Sequence, residues 1–189
     1  MSEQMGLLTF EEACEAAITA LTGLFSRVPS LSNDDLLVAT SAAEQAGRMV
    51  DGLRGHLAGE LDSRCTSYAS DGGINFAQGC RTSAELISRQ TGIGEREAVA
   101  RVKRDQKLCV RFGFSGGEIR PDRPHIADAV GAGTIGTEAV DVILKAVQSA
   151  ITNHAPDDHV DLMEKCLTGI AAGSIEPDDA ATCDPSTFD

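Results

Sequence analysis

The chain is poor in aromatic side chains. It contains no tryptophan, and aromatic residues make up only 4% of the sequence, whereas 42% of the residues are hydrophobic. A core built from Ala, Leu, Ile and Val is typical of packed helices rather than of a β-sandwich. At 189 residues the chain is long enough to bury such a core. We therefore predict an all-α fold, a single domain of stacked helical hairpins with one long helix in its N-terminal half.

Several motifs that would assign a location or a chemistry are also missing. The six cysteines include no CxxC pair, which argues against a zinc knuckle or redox motif and predicts buried or free thiols. The first residues lack the basic and apolar regions of a signal peptide, and no apolar run approaches the roughly 20 residues that span a bilayer. No Ser-His-Asp order, P-loop or GxGxxG is present. We expect a cytoplasmic, non-enzymatic protein that binds no cofactor and no membrane.

Positive charge is scarce in this chain, but it is concentrated. The formal net charge is −13. Between residues 81 and 123, ten Lys and Arg residues accompany six acids, so this segment carries +4 and the rest of the chain −17. An evenly acidic protein would repel a nucleic-acid backbone. The uneven distribution leaves one segment that is able to meet an anion.

Two helices are predicted in the first third of the chain. The first covers residues 9–28, with Thr9 as N-cap and acids in its first turn. The second begins where Ser32 or Asn33 can cap it and extends to Cys65. Its apolar residues recur at intervals of three and four, which predicts that one stripe faces a partner helix. The stripe consists of Ala46, Val50, Leu53, Leu57 and Leu61.

The second helix is rich in glycine, which costs about 1 kcal/mol of helix propensity per residue relative to alanine. Three of its glycines, Gly52, Gly55 and Gly59, fall on one side. A side without Cβ atoms lets another backbone come close, within this chain or across a dimer, so these three form a candidate interaction face. The alternative is a helix that bends or breaks near Gly52 or Gly55.

Three stretches of sequence resemble one another, at residues 91–98, 132–139 and 172–180. Each is typical of a glycine that ends a helix in a left-handed cap, an isoleucine that returns to the core, and an acidic first turn of the next helix. The repeat predicts stacked helical hairpins. The helix at 137–153 is expected to carry a core stripe of Val140, Ile143, Val147 and Ile151. A further helix is predicted to begin after Pro177 in the acidic tail.

Three longer segments show an order and spacing found in a known family. They are VDGLRGHLAGELDSRC at 50–65, RTSAELISRQTGIGEREAVARVK at 81–103, and IADAVGAGTIGTEAVDVI at 126–143. Together they resemble the 13E12 repeat family, an actinobacterial helical domain of unknown function found ahead of HNH endonuclease domains. The resemblance covers roughly residues 35–183. It implies an all-helical domain that precedes a metal-dependent nuclease in longer relatives.

The helix pattern and the resemblance together predict a domain organisation and a role. Residues 1–30 would form an N-terminal helix, residues 31–183 the helical domain, and residues 184–189 a tail or truncated linker. An HNH site needs paired histidines and an asparagine that hold a divalent metal. The four histidines, which are His56, His125, His154 and His159, show no such arrangement. We therefore predict a non-catalytic accessory domain that targets or positions a nuclease.

The basic segment has the pattern of a helix-turn-helix. SAELISRQ would be the positioning helix, TGI the turn, and GEREAVARVKRDQ the helix whose start faces base edges in a major groove. The candidate contacts to double-stranded DNA are Arg96, Arg101, Lys103, Arg104 and Lys107. The alternative is an ordinary amphipathic helix whose arginines pair with Glu97, Asp105 or acids elsewhere. Its buried side is predicted to be Ala98, Val99, Val102 and Cys109.

Two functional hypotheses therefore remain open. One is a DNA-contacting accessory domain, and the other is a protein-interaction or oligomerisation scaffold whose partner is an HNH nuclease domain or a second copy of the chain. A metal cluster formed by His154 and His159 with the two aspartates between them is a weaker hypothesis, because a helix break with an Asp N-cap explains the same residues. We predict no metal site.

Overall fold

The computed structural model describes residues 9–66, 73–112 and 117–174. Within these ranges the chain forms eight α-helices, a short 3-10 turn and a single hairpin whose two strands have two residues each. The all-α prediction is therefore confirmed. The helices are α1 (Phe10–Phe25), α2 (Asn33–Thr66), α3 (Gly73–Ala77), α4 (Ser83–Thr91), α5 (Glu95–Leu108), α6 (Pro124–Gly131), α7 (Thr137–Thr152) and α8 (Asp157–Ala171). The antiparallel strands β1 (Arg111–Phe112) and β2 (Glu118–Ile119) lie between α5 and α6.

The chain divides into two compact units, residues 1–44 and residues 45–189. The first unit contains α1, the 3-10 turn Val28–Ser30 and the beginning of α2, and the second contains the remainder of α2 and all later elements. Helix α2 is continuous from Asn33 to Thr66. The prediction of one long helix is therefore confirmed, and the alternative in which this helix breaks at a glycine is wrong.

Helix α1 begins with a capping box. The Thr9 hydroxyl accepts a hydrogen bond from the Glu12 backbone N–H at 3.3 Å, and the Thr9 N–H donates to Glu12 Oε2 at 2.7 Å. The Thr9 N–H and the Thr9 hydroxyl both donate to Oε2 of Glu12, and these hydrogen bonds to the charged carboxylate lower the pKa of Glu12. The helix ends three residues earlier than predicted, because the chain tightens into the 3-10 turn that contains Pro29.

Two hydrophobic clusters form the core of the second unit. The first, between α6, α7 and α8, consists of Ile126, Ile135, Val140, Ile143, Val147 and Val160. The second, between α2, α4 and α5, consists of Ala58, Ala84, Ile87, Ala98 and Val102. Most of the predicted stripes on α5 and α7 are thus confirmed. Two members are corrected, since Val99 lies at the edge of the buried side of α5 and Ile151 lies in the last turn of α7, and both remain exposed.

The predicted joints between hairpins are present. Gly92 ends α4 and Gly133 follows α6 with φ angles of 73° and 67°, a left-handed conformation that favours glycine. The isoleucines after them, Ile93 and Ile135, return to the two core clusters. Gly173 repeats the cap with a φ of 69°. The remainder of the third joint and the helix predicted in the tail lie outside the described residues.

Side chains from other helices hold both ends of α6. Glu164 of α8 is fully buried, and its Oε1 accepts from the backbone N–H groups of His125 and Ile126 at 3.0 and 3.3 Å. A carboxylate at a helix N-terminus also complements the helix dipole. At the other end, Gln45 and Arg48 of α2 donate to carbonyls that follow α6, at 3.3 and 3.2 Å. These contacts fix the second part of α2 against α6.

Candidate functional site

The five basic residues predicted to contact DNA all lie on α5, but they do not share one environment. Helix α5 starts after the turn at Gly94 and presents Ala98 and Val102 to the core. Two arginines, Arg101 and Arg104, flank this buried side. The other three residues, at positions 96, 103 and 107, recur at seven and four and therefore align on the outer face of the helix.

Arg101 and Arg104 are engaged in ion pairs within the chain. The Nε of Arg101 lies 3.0 Å from Glu97 Oε1, one helical turn away. The Nε of Arg104 lies 2.7 Å from Asp141 Oδ1 of α7, and its Nη2 lies 3.7 Å from Glu97. The two arginine side chains are only 18% and 15% exposed. The hypothesis that α5 is an ordinary amphipathic helix predicted such pairs with Glu97 and with acids elsewhere in the chain.

Arg96, Lys103 and Lys107 remain exposed on the outer face. Lys107 Nζ lies 3.2 Å from Asp122, an acid that also pairs with Arg111. Arg96 and Lys103 form no hydrogen bond or ion pair with any residue that the structure describes. An exposed Lys–Asp pair contributes little stability and opens readily. About three basic side chains, rather than five, are therefore available to bind an external anion.

Asp105 does not pair with an arginine, contrary to one version of the alternative. Its carboxylate is buried against α2, where Oδ1 lies 3.2 Å from Nδ1 of His56. Burial raises the pKa of Asp105, and the hydrogen bonds from His56 and Cys109 offset only part of this rise. No sequence pattern predicted the His56–Asp105 contact, because its partners lie 49 positions apart in the chain.

A cleft of about 330 Å³ adjoins this pair. It lies within the second unit between α2, α5, α6 and α7, and its walls include Leu108, Val130 and Val140. Gly52 and Gly55 line the α2 side, and the carboxylate of Asp105 is its most buried polar group. The volume is at the lower limit of ligand pockets. Its ionisable groups are mostly committed to pairs within the chain, so the cleft shows no convergent set of free polar groups.

The glycine side of α2 makes its close contacts within the chain. A Cβ atom on Gly59 would overlap the carboxylate of Asp105, and one on Gly52 would lie 2.9 Å from Val130 Cγ1. Gly55, in contrast, has no atom within 4 Å of that position. Gly52 and Gly59 therefore allow close approach of other parts of the same chain, which is one of the two alternatives that the sequence left open. Their predicted part in an interface with another molecule stays a prediction.

The apolar stripe of α2 faces away from these contacts. Only Leu61 packs against a core cluster. Val50, Leu53 and Leu57 are 40%, 41% and 42% exposed, respectively. The expectation that the stripe faces a partner helix is thus confirmed for Leu61 and wrong for Val50, Leu53 and Leu57 within the described residues. The small-residue side lies against the other helices because the absence of side chains allows α5 and α6 to approach more closely.

Helix α1 is a more extreme case, and no functional role was predicted for it. It has no buried residue. Its large apolar residues Phe10, Ile18, Leu21, Leu24 and Phe25 are all exposed, with Ile18 at 63% and Phe25 at 78%. These positions fall on one side of the helix, and Glu11, Glu12 and Glu15 fall on the other. The helical spacing of the apolar residues was the available signal.

Residues typical of metal sites and thiol chemistry form no reactive group in the described parts. No set of three or more His, Cys, Asp and Glu side chains there is arranged to hold a metal ion. Burial raises the pKa of the thiols of Cys65 and Cys109, which makes them weaker nucleophiles. The expectation of unpaired thiols is wrong for Cys166, which is disulfide-bonded. No helix among the described residues is long and apolar enough to cross a membrane.

Comparisons with known proteins do not assign the chain to a family. No protein-family model, curated protein or solved structure matches it. The resemblance to the 13E12 repeat family therefore stays a prediction, and so does the nuclease context that it implies.

Proposed function

We propose that this chain is a non-catalytic, self-associating scaffold module that acts through protein–protein contact. The observation that carries the proposal is α1, a 16-residue amphipathic helix in which no residue is buried. In the context that the 13E12 resemblance implies, such a module would position an HNH nuclease by bringing copies of the protein together. The module itself would bind no metal or other cofactor.

Physical chemistry supports this proposal. An isolated helix of about 12–15 residues is only marginally stable in water, and most helices in proteins owe their stability to packing of an apolar face. Contiguous exposed apolar surface on a protein commonly marks an interaction site. The opposite face of α1 is acidic, which disfavours an anionic membrane surface as the partner. The surface of another protein is therefore the partner that is compatible with both the apolar and the acidic face of α1.

Sedimentation velocity of the full chain tests this proposal. Over a range of about 1 to about 200 µM, we expect the weight-average sedimentation coefficient to rise toward that of a dimer, as for micromolar association. A coefficient that stays at the monomer value across the range would refute self-association. Raising the salt concentration serves as a control, because an apolar interface should be maintained in salt while non-specific charge contacts are screened.

DNA contact is a second candidate, and the exposed stripe of Arg96, Lys103 and Lys107 favours it. Three phosphate contacts would give a log–log salt dependence with a slope of about −2.7 for duplex DNA. Fluorescence anisotropy with a duplex at low salt measures this slope. Lys103→Glu should weaken binding, whereas Lys145→Glu, an exposed lysine on α7, is the matched control. Absence of binding at tens of micromolar, or equal loss in both variants, would exclude a specific α5 interface.

A further inference from the structure

We infer that the apolar face of α1 pairs with α1 of a second copy in an antiparallel arrangement. This inference rests on the proposed scaffold function and names its interface. The face is defined here as the residues that lie on the apolar side of α1, which are Phe10, Ala13, Cys14, Ala17, Ile18, Ala20, Leu21, Leu24 and Phe25. At 100° per residue they occupy somewhat less than half of the helix circumference, without a polar interruption.

Six of the nine residues of this face can pair with one another in an antiparallel arrangement, and their order is self-complementary along the middle of the helix. Pairing two copies about the midpoint of α1 places Phe10 opposite Phe25 of the second copy. It also places Cys14 opposite Leu21 and Ala17 opposite Ile18 of the second copy. A small residue thus faces a large one along the middle of the pair, which is the alternation that lets side chains interdigitate. A parallel pairing would instead place each of these residues against itself.

The charges of α1 select the same orientation. Glu11, Glu12 and Glu15 lie in its first half, its last turn has no basic residue, and Arg27 follows its end. In a parallel pair, the six carboxylates would all lie at the same end of the dimer. In an antiparallel pair, Glu11 and Glu12 of one copy lie within about a turn of Arg27 of the other along the helix axis, and the helix dipoles oppose one another. Charge therefore favours a second copy in the antiparallel orientation.

The area available fits a weak dimer. The five large side chains of the face are 47% to 78% exposed. At about 200 Å² for each fully exposed side chain, they offer roughly 600 Å² per copy. Specific interfaces bury about 800 Å² per partner, with weak complexes near 600 Å². This area agrees with association in the micromolar range.

Charge substitutions on the two sides of α1 test the inference in the full chain. Ile18→Glu with Leu21→Glu places two carboxylates on the apolar face, and we expect dimerisation to weaken about 100-fold or more. Thr19→Glu with Thr22→Glu adds the same charge to the polar face. This control should change the dimerisation affinity by only a few-fold. Circular dichroism should show that both variants keep the thermal transition of the second unit, since α1 contributes no buried residue.

A comparison with α2 separates this inference from the proposed function. Leu53→Glu with Leu57→Glu changes the other exposed apolar stripe. If the wild-type chain dimerises and only the α2 variant becomes monomeric, the α1 interface is refuted while the scaffold function is retained. If the wild-type chain is monomeric, both are refuted. Loss of the dimer in the α1 variant alone supports both.

Disulfide trapping tests the orientation. In the antiparallel register, Cys14 lies opposite position 21 of the second copy, so Leu21→Cys should give an oxidised dimer linked between positions 14 and 21. Within one helix these positions are two turns, about 10.5 Å, apart, which excludes an intramolecular link. Peptide mapping of the wild-type chain should show no Cys14–Cys14 link. A Cys14–Cys14 link, or a dimer with neither link, would overturn the antiparallel pairing.

Discussion

Helices α1 and α7 are both 16 residues long and both amphipathic, but only one of them is part of a core. Helix α7 buries Val140, Ile143 and Val147 between α6 and α8. Helix α1 buries no residue, although two of its apolar residues are phenylalanines, which have a larger side chain than any in the α7 stripe. An apolar face indicates that a helix needs a partner, but the face does not determine where that partner is.

The two faces of α2 teach the same lesson within one helix. Its larger apolar residues Val50, Leu53 and Leu57 are exposed, whereas Gly52 and Gly59 lie against Val130 and Asp105. Close approach of helix backbones requires small residues, so the side with the lower hydrophobicity became the packed side. Hydrophobic periodicity therefore predicted that the leucine side of α2 is packed, whereas the glycine side is the one that packs.

The largest expected effect compares the core of α7 with the face of α1. Ile143→Ala should lower the free energy of unfolding by about 2–5 kcal/mol, because it removes buried apolar surface and leaves a cavity. Leu21→Ala should change it by less than about 0.5 kcal/mol, because Leu21 is exposed in the monomer. Urea denaturation at low micromolar concentration measures both. Equal losses would mean that α1 is packed in the monomer.

Alanine substitutions at two glycines of α2 sharpen the comparison of its faces. Gly59→Ala should destabilise by about 1–3 kcal/mol, because the new Cβ would lie 2.8 Å from the Cβ of Asp105, an atom fixed to the backbone. Gly55→Ala meets no atom within 4 Å and should stabilise by about 0.5–1 kcal/mol through helix propensity. Thermal and urea denaturation of the pair decide this prediction. A destabilising Gly55→Ala would contradict the open position seen there.

A smaller effect is expected from the buried carboxylate of Asp105. Burial raises its folded-state pKa above the ordinary value of about 3.9, although hydrogen bonds from His56 and Cys109 oppose the shift. The folded state then binds the proton more tightly than the unfolded state. Stability from this group is full below about pH 4 and declines as pH rises through the raised pKa. Asp105→Asn should remove this decline.

Urea denaturation between about pH 4 and pH 7 measures the difference in the unfolding free energy between wild type and Asp105→Asn. The wild type should lose stability relative to the variant as pH rises. Asp128→Asn, at an exposed position on α6, is the control and should not show this trend. An increase in wild-type stability relative to Asp105→Asn over this range would show that His56 outweighs burial.

Sequence patterns were sufficient for most of the helices and for the joints at Gly92 and Gly133, but not for α3 or for the end of α1. Thr9 as N-cap, the left-handed Gly92 and Gly133, and the helix boundaries all depend on interactions between residues close in the chain. Periodicity correctly predicted the buried residues of α7 as far as Val147. The exposed Ile151 did not, because burial at a helix end depends on the length of the neighbouring helix.

The candidate site was predicted less completely. The five basic residues were found by composition, but their division into two paired arginines and three exposed residues depends on Asp141 and Asp122, which lie far along the chain. The partnership of His56 with Asp105 had no local signal, since it requires α2 and α5 to be adjacent.

By itself, the sequence determined that this protein is helical, where most of its helices begin, and which side of its longer helices is apolar. Local hydrogen bonding, backbone preferences and side-chain periodicity are short-range properties, so a sequence specifies them directly. Only the tertiary structure decided that α2 packs by its glycines, that Arg101 and Arg104 are neutralised, and that no residue of α1 is buried. Those outcomes depend on which distant surfaces fit most closely, and packing in three dimensions sets that fit.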